Sequence, residues 1–411
     1  MSIDRILEDA VAGCELRAQD GAALFTAAGD QIERLIAAAN ELRKQTVGDR
    51  VGYVINRNVN FTNVCVKRCG FCAFSRGHVA DEGYFLPTSE ILRRVEEACR
   101  LGATEICIQA GLPPRIDGNF YVDLCRTITQ AFPQIHVHAF SPEEVLHGAT
   151  LSSRSVGDYL KALQDAGLGS MPGTSAEILD DRVRDQISPG RISTRDWLHV
   201  ITTAHRLGIR TTSTIMYGHV ETLLQRAQHL ELLRSVQKET GGITEFVPLS
   251  LVRAEAPMVK KMLVSGIQTD LVREEILRMY AVARLMLNRW IPNIQVSWVK
   301  QGPELAAECL HAGANDFGGT LMNESISTSA GAAHGQFLHP TRMRGLIRAA
   351  GRVPFQRTTT YAPLRVFDEE PEQPEPSWDT VGFGTYHSLI ASSDFRFRTQ
   401  ARPAEKASTA E

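Results

Sequence analysis

Val59-Asn60-Phe61-Thr62-Asn63-Val64-Cys65-Val66-Lys67-Arg68-Cys69-Gly70-Phe71-Cys72-Ala73-Phe74-Ser75-Arg76 packs three cysteines into one short loop with the spacing C-x-x-x-C-x-x-C. Thiols this close make no orderly disulfide set, whereas cysteine sulfur is the ligand of both iron–sulfur clusters and structural zinc. A four-iron cluster normally takes four cysteines. A triplet therefore leaves one iron open to an exchangeable small molecule, which a catalyst needs and a structural site avoids. The alternatives are a zinc loop completed by His78, or three ordinary thiols. Structural zinc usually shows two ligand pairs, and only one triplet is visible. The remaining cysteines, Cys14, Cys99, Cys107, Cys125 and Cys309, have no C-x-x-C spacing and read as small buried apolar residues.

Upstream, Val51 to Asn60 reads as a strand with Asn56, Asn58 and Asn60 on one face, delivering the chain into the cysteine loop. Before it, Ile32, Leu35, Ile36, Ala39 and Leu42 recur at helical spacing between Gly29 and Gly48, so residues 1–48 form a helical lead-in. Downstream of Pro87, helices and strands alternate through short connections. The strands are expected at Glu105–Gln109, Ile135–Phe140, weakly near Leu168, Arg210–Tyr217, Glu245–Leu249, Ile294–Val299 and near Ala314. This alternation builds a parallel sheet with helices outside, and about eight strands close a (β/α)8 barrel of TIM type over residues 49–352. Residues 353–411 read as a C-terminal extension. Its acidic, proline-rich run from Asp368 cannot bury a core, and its last residues are expected to be disordered. A chain ending at Asp368 is expected to keep the barrel and the metal site.

Within the strands, polar residues share the face that a barrel turns inward: Glu105, Cys107 and Gln109; His136 and His138; Gln295 and Ser297. Such a lumen is costly unless its groups are satisfied by one another, by water or by a ligand, and it reads as a substrate cavity. Glu245 and Val247, opposite Phe246 and Pro248, follow the rule less cleanly. His138 is favoured over His136 for a site role because it lies nearer the strand's C-terminal end, where such barrels keep their sites. Gly313–Thr320 reads either as an anion-holding loop or as a tight turn. The Tyr217-Gly218-His219 turn is similar, and Glu221 either meets substrate or caps a helix.

With 43% hydrophobic and 22% charged residues over 411 positions, the chain reads as an ordinary globular protein. A net charge of −3 supplies neither a basic field for nucleic acid nor a polybasic membrane anchor. The opening M-S-I-D-R-I-L-E-D-A reads without a secretory leader, and no stretch approaches a membrane span. Thiols kept free for a metal predict a reducing compartment, the cytoplasm.

The cysteine spacing, with Phe71 before the third thiol, resembles that of the radical S-adenosylmethionine (SAM) superfamily. The segments N-R-N-V-N-F-T-N-V-C-V-K-R-C-G-F-C-A-F-S-R (56–76), I-C-I-Q-A-G-L (106–112) and I-H-V-H-A-F-S-P-E-E-V (135–145) narrow the resemblance. They are similar to a subgroup containing the enzymes of deazaflavin (FO) biosynthesis and of the futalosine branch of menaquinone biosynthesis, most closely the CofH type. The likeness covers roughly residues 48–352.

That resemblance implies a radical SAM barrel in which Cys65, Cys69 and Cys72 hold one 4Fe-4S cluster whose fourth iron binds the amino and carboxylate groups of SAM. It places Phe71 near the adenine, and Gln109, Gly111 and Ser141 among the cofactor contacts. Many radical SAM enzymes have G-G-E where this chain has Q-A-G, so Gln109, a carbonyl, or a residue of Ser141, Glu143 and Glu144 is expected to take the place of the missing acid. Asn58, His138 and Ser297 are the expected substrate contacts, with His138 the candidate catalytic residue. The implied reaction transfers the 4-hydroxybenzyl group of L-tyrosine to 5-amino-6-(D-ribitylamino)uracil, releasing 2-iminoacetate, 5'-deoxyadenosine and methionine. A futalosine-pathway radical enzyme, acting on a purine nucleoside derivative, is the alternative. The implied partners are an electron-donor protein and a companion CofG-type FO synthase subunit.

Overall fold

Alternation of polar and apolar residues sets the longer strands, and Ser141, Ser155, Asp180, Ser193 and Thr222 cap the N-termini of five of the helices between them. In the computed structural model, which describes residues 2–368 and 384–400, the strands are β1 (Arg50–Val54), β2 (Asn56–Val59), β3 (Glu105–Ile108), β4 (His136–Ala139), β5 (Ser170–Met171), β6 (Arg210–Tyr217), β7 (Ile243–Ser250) and β8 (Asp316–Gly319). Strands β2 to β7 form one parallel sheet in chain order. The ring is completed by bridges from Phe246 to Ile294 and from Gln295 to Asp316, by β8 lying parallel to β1, and by a bridge from Arg57 to Met322. β1 and β2 are successive halves of the strand expected at residues 51–60. The result is the parallel (β/α) barrel that the alternation implied.

The strand expected at Ile294–Val299 shrinks to these single bridges. Ser297 N donates to the Tyr280 hydroxyl (3.3 Å) and Trp298 Nε1 to Gly319 O (2.9 Å), and the chain turns into a short helix at Trp298–Gln301. Side-chain hydrogen bonds here outcompete the ladder.

The lead-in contains helices Ile3–Val11, Ala18–Leu24 and Asp30–Val47. The third buries Leu35, Ala39 and Leu42 and packs on the barrel helix Arg273–Leu287.

The expected boundary at residue 353 falls inside the paired structure. β9 (Val353–Arg357) lies parallel to β1 from Arg50↔Val353 to Tyr53↔Gln356, and β10 (Pro363–Val366) folds back antiparallel on β9. The hairpin reaches the N-terminal ends of the barrel strands, where Arg357 meets Asp316 at 2.5 Å and Glu245 at 3.3 Å. Its guanidinium lies 4.0 Å from the centre of the Tyr361 ring, and the Tyr361 hydroxyl bonds Glu245. The acidic run from Asp368 and the last residues lie almost wholly outside the described residues. Residues 384–398 return to the barrel: Phe85 N donates to Phe395 O (2.8 Å), Phe397 N to Gly83 O (2.9 Å), and buried Tyr386 packs 5.5 Å from Phe74.

Candidate active site

The cysteine loop is pinned from several sides. Cys65 N donates to Arg76 O (3.0 Å), Val66 N to Leu112 O (2.9 Å) and Gly70 N to Ile187 O (2.7 Å), while Met258 N donates back to Gly70 O (2.7 Å). Two glycines make room for this. A Cβ on Gly111 would stand 2.3 Å from Val64 O, and one on Gly70 would stand 2.9 Å from the Met258 Cβ. The backbone after β3 can therefore lie directly against the cysteine loop only without a side chain.

Cys65, Cys69 and Cys72 are free thiols, half-buried, on the wall of a cavity of about 380 Å³ inside the barrel. Burial pushes the Cys69 thiol up to about 12 against the pull of Arg191, and burial likewise raises Cys65. Among the described residues no three His, Cys, Asp or Glu side chains gather around a single ion, and His78 is exposed and off the cavity wall. Zinc needs one closed tetrahedron. In a four-iron cluster each thiolate binds a different iron, which spreads the sulfurs. Three thiols on one cavity wall, supplied by one loop, are the donor set that a four-iron cluster takes while leaving one iron open.

The inward faces of β2, β3 and β4 largely behave as the alternation requires, whereas in the 294–299 segment Val296 and Trp298 line the cavity beside Gln295 and Ser297, because the chain there turns from strand into helix. Asn56, Asn58, Asn60, Glu105, Cys107, Gln109, His138, Gln295 and Ser297 line the same cavity, and Ile106, Ile108, Val137 and Ala139 are buried on the other face. Glu245 and Val247 also line it, so β7 obeys the rule after all. His136 does not. It sits under Gly169, whose absent Cβ would lie 2.6 Å from its ring, and it bonds Ser170 Oγ at 2.7 Å. His138 Nδ1 takes the same hydroxyl at 2.7 Å, and burial lowers the His138 pKa to about 4, so the ring is neutral.

Each residue expected to meet cofactor or substrate lines this cavity: Phe71, Gln109, Gly111 and Ser141 beside the thiols, and Asn58, His138 and Ser297 with them. Several are already engaged. Thr174 donates to Gln109 Oε1 (2.8 Å) and Asn60 Nδ2 to Gln109 O (2.6 Å). Ser141 Oγ caps helix Pro142–Leu151 and donates to Glu144 Oε2 at 2.6 Å. Glu144 also accepts from Ser141 N (2.8 Å) and Ala110 N (3.0 Å), and burial raises it to about 7. Glu144 thus ties the Q-A-G turn to the next helix. The Asn58 Oδ1 is buried without a partner, an orphan acceptor that a ligand would satisfy.

Sequence separation hid the charged frame of this wall. Glu143 holds Lys67 at 3.2 Å and Arg191 at 3.3 Å, and Arg191 also holds Glu177 at 3.0 Å while lying 5.8 Å from the Phe71 ring centre. Glu177 adopts φ 46°, a left-handed conformation that no local motif announces. Of the two glycine-bearing segments, Gly313–Thr320 contains strand β8, whose Gly318 and Gly319 line the cavity. A Cβ on Gly319 would meet Asn56 Oδ1 at 2.2 Å. Glu221 accepts from Gly218 N (2.8 Å) and His219 N (2.9 Å) and pairs with Arg226 at 2.6 Å.

An open-ended thiol triplet over a polar lumen, in a parallel barrel, defines a radical SAM enzyme. The radical SAM superfamily model matches residues 59–233, and the model of the CofH/MqnC C-terminal region matches residues 240–370. Over 339 residues the chain is 48% identical to 5-amino-6-(D-ribitylamino)uracil–L-tyrosine 4-hydroxyphenyl transferase 2 of Methanosarcina acetivorans, covering 82% of this chain and 87% of that protein. It is 50% identical over 323 residues to the like-named transferase of Archaeoglobus fulgidus, covering 79% and 91%. Among solved structures, methylornithine synthase (PylB) superposes with a TM-score of 0.66 at 16% identity, over 85% of this chain and 97% of that one. HydG from Carboxydothermus hydrogenoformans gives the same score and identity over 87% and 80%. These two speak for the fold alone. The chain belongs to the CofH family of radical SAM enzymes.

Proposed function

We propose that this protein transfers the 4-hydroxybenzyl group of L-tyrosine to 5-amino-6-(D-ribitylamino)uracil in FO biosynthesis. The identity of 48–50% to transferases named for these two substrates, over nearly their whole length, carries the reading. The cavity beside the thiol triplet, where polar strand residues such as Asn58, Gln109 and His138 meet apolar ones, supports it.

In this reading Cys65, Cys69 and Cys72 hold the 4Fe-4S cluster, and Phe71, Gln109, Gly111 and Ser141 shape the SAM side of the cavity. The cluster and SAM, when bound, supply the 5'-deoxyadenosyl radical. Tyrosine gives one hydrogen atom to that radical, forming 5'-deoxyadenosine; its Cα–Cβ bond breaks to leave 2-iminoacetate, and the hydroxybenzyl radical joins carbon 5 of the pyrimidine, whose ring then gives up one electron and one proton, the electron balancing the one that SAM cleavage consumes. The barrel wall excludes water and keeps both substrates together, because a released fragment would be quenched before it met its acceptor. Asn58 offers its free Oδ1 to a donor on the pyrimidine, and Ser297 its hydroxyl. Ser170 has a single hydroxyl proton and so donates to one imidazole only; the other ring donates to it. That choice decides whether His138 Nε2 accepts or donates a proton at the substrate.

An electron-donor protein and a companion CofG-type FO synthase subunit are the proposed partners. Among the described residues no helix is long and apolar enough to cross a membrane, and a reducing cytoplasm suits the free thiols. The test is an anaerobic incubation with SAM, a reductant, ring-labelled tyrosine and the ribitylaminouracil. Ring label in the pyrimidine adduct and backbone label in 2-iminoacetate are expected. Consumption of a futalosine-type nucleoside without tyrosine turnover would move the protein to the menaquinone branch.

A further inference from the structure

The cations on the cavity wall are Lys67, Arg191, Lys300 and Arg357. Three of them are committed. Lys67 holds Glu143 at 3.2 Å and donates to Gly190 O at 2.5 Å. Arg191 is shared between Glu143 and Glu177. Arg357 closes the far end of the cavity against Asp316 and Glu245. Lys300 is different. It follows the 294–297 segment in the short helix Trp298–Gln301, at the end of the barrel where the loops gather, and it is half-buried. Among the described residues its ammonium makes no ion pair or hydrogen bond.

The acids nearest in influence are spoken for. Glu177 pairs with Arg191, and Glu324 accepts from Ser327 N at 2.9 Å and from Thr328 N at 3.3 Å at the start of helix Ile326–Ser329. Both attract Lys300 without reaching it, and burial lowers its pKa. An ammonium kept in a cavity without a partner carries a desolvation cost that an incoming anion relieves.

Of the two substrates in the reading above, on which this inference rests, only the amino acid brings a carboxylate; the ribitylaminouracil offers neutral hydroxyls and ring amides. We infer that Lys300 is the anchor for the carboxylate of the tyrosine substrate. The carboxylate stays with the fragment that departs as 2-iminoacetate, so this anchor holds the leaving half while the hydroxybenzyl half moves to the pyrimidine.

The experiment is equilibrium dialysis of labelled tyrosine, tyramine and ribitylaminouracil, each against the anaerobically reconstituted, SAM-loaded protein. Lys300→Met is expected to weaken tyrosine roughly 30-fold, the effect of removing a buried charge-assisted hydrogen bond, and to leave the ribitylaminouracil within about twofold. Lys300→Arg is expected to recover most of the loss. Tyramine, which lacks the carboxylate, should bind the parent protein and Lys300→Met equally weakly. The inference is overturned if Lys300→Met leaves tyrosine affinity unchanged or weakens the pyrimidine instead. It also falls if the parent protein binds tyramine as tightly as tyrosine, a result that needs no variant to fold. If the parent protein binds neither tyrosine nor the ribitylaminouracil, the substrate reading itself fails, a distinct result.

Discussion

At the scale of single residues, the cysteine triplet was legible because its chemistry is written in local spacing. Replacing Cys65, Cys69 or Cys72 by Ala is expected to abolish iron retention and deoxyadenosine formation, since two thiolates cannot hold the cluster. Cys99→Ala and Cys309→Ala, at positions away from the cavity, should leave both intact. Full SAM cleavage in Cys69→Ala would defeat the assignment. The preference for His138 over His136 also came from position along a strand, and only His138 reaches the cavity. Arg191 was not legible, because its partner Glu143 lies 48 positions away, and neither was Glu177, whose left-handed backbone no local motif announces.

Buried histidines give a pH signature with a definite sign. Burial lowers His138 and His205 to about 4 and His229 to about 3. Between the unfolded value of about 6.5 and these folded values, the unfolded chain binds more protons, so stability falls as pH drops through that window. Glu144, raised to about 7, acts with the opposite sign above its unfolded value, so a variant is needed to isolate the histidine part. His229 accepts Leu179 N at Nδ1 (3.0 Å) and donates to Thr214 O (3.0 Å). His229→Gln should lower stability overall yet make its decline between pH 6.5 and 4 shallower, by up to about 1.4 kcal/mol per pH unit. Denaturant midpoints measured across that range check it, and an unchanged slope would refute it.

At the scale of elements, the barrel was readable from period-two faces and helix caps, which are local. The β9–β10 hairpin was not: P-F-Q-R-T-T-T-Y-A-P has no long apolar run, and its pairing with β1 spans about 300 residues of chain. Its hold on the barrel is electrostatic as well as hydrogen-bonded. Arg357 is nearly inaccessible, and so are its partners Asp316 and Glu245. Arg357→Met would leave their carboxylates buried without a counter-charge, and a loss of about 3–5 kcal/mol is expected. Urea unfolding measures it. A loss below about 1 kcal/mol would mean that water already reaches the pair.

At the scale of the whole molecule, the far end of the chain comes back to the cysteine loop. Tyr386 is 3% exposed and stacks beside Phe74, which follows Cys72 by two positions. Arg396 bridges to Tyr84, and the backbone of residues 395–397 pairs with residues 83–85. Composition alone suggested that a chain ending at Asp368 would lose nothing of the site. The packing argues for a division: β1 to β10 stay whole without residues 384–398, but the outer side of the cysteine loop loses its cover. Burying Tyr386 stabilises by about 2 kcal/mol on area grounds, small beside the barrel's own core. Truncation after Asp368 is therefore expected to keep the far-ultraviolet dichroism and the iron loaded under anaerobic reconstitution. The cluster absorbance should then bleach several-fold faster in air than in the full chain, because Phe74 and the loop behind it become open to solvent. Equal bleaching rates would show that the C-terminal segment adds no protection, and loss of the barrel signal would show that the segment is part of the folding unit.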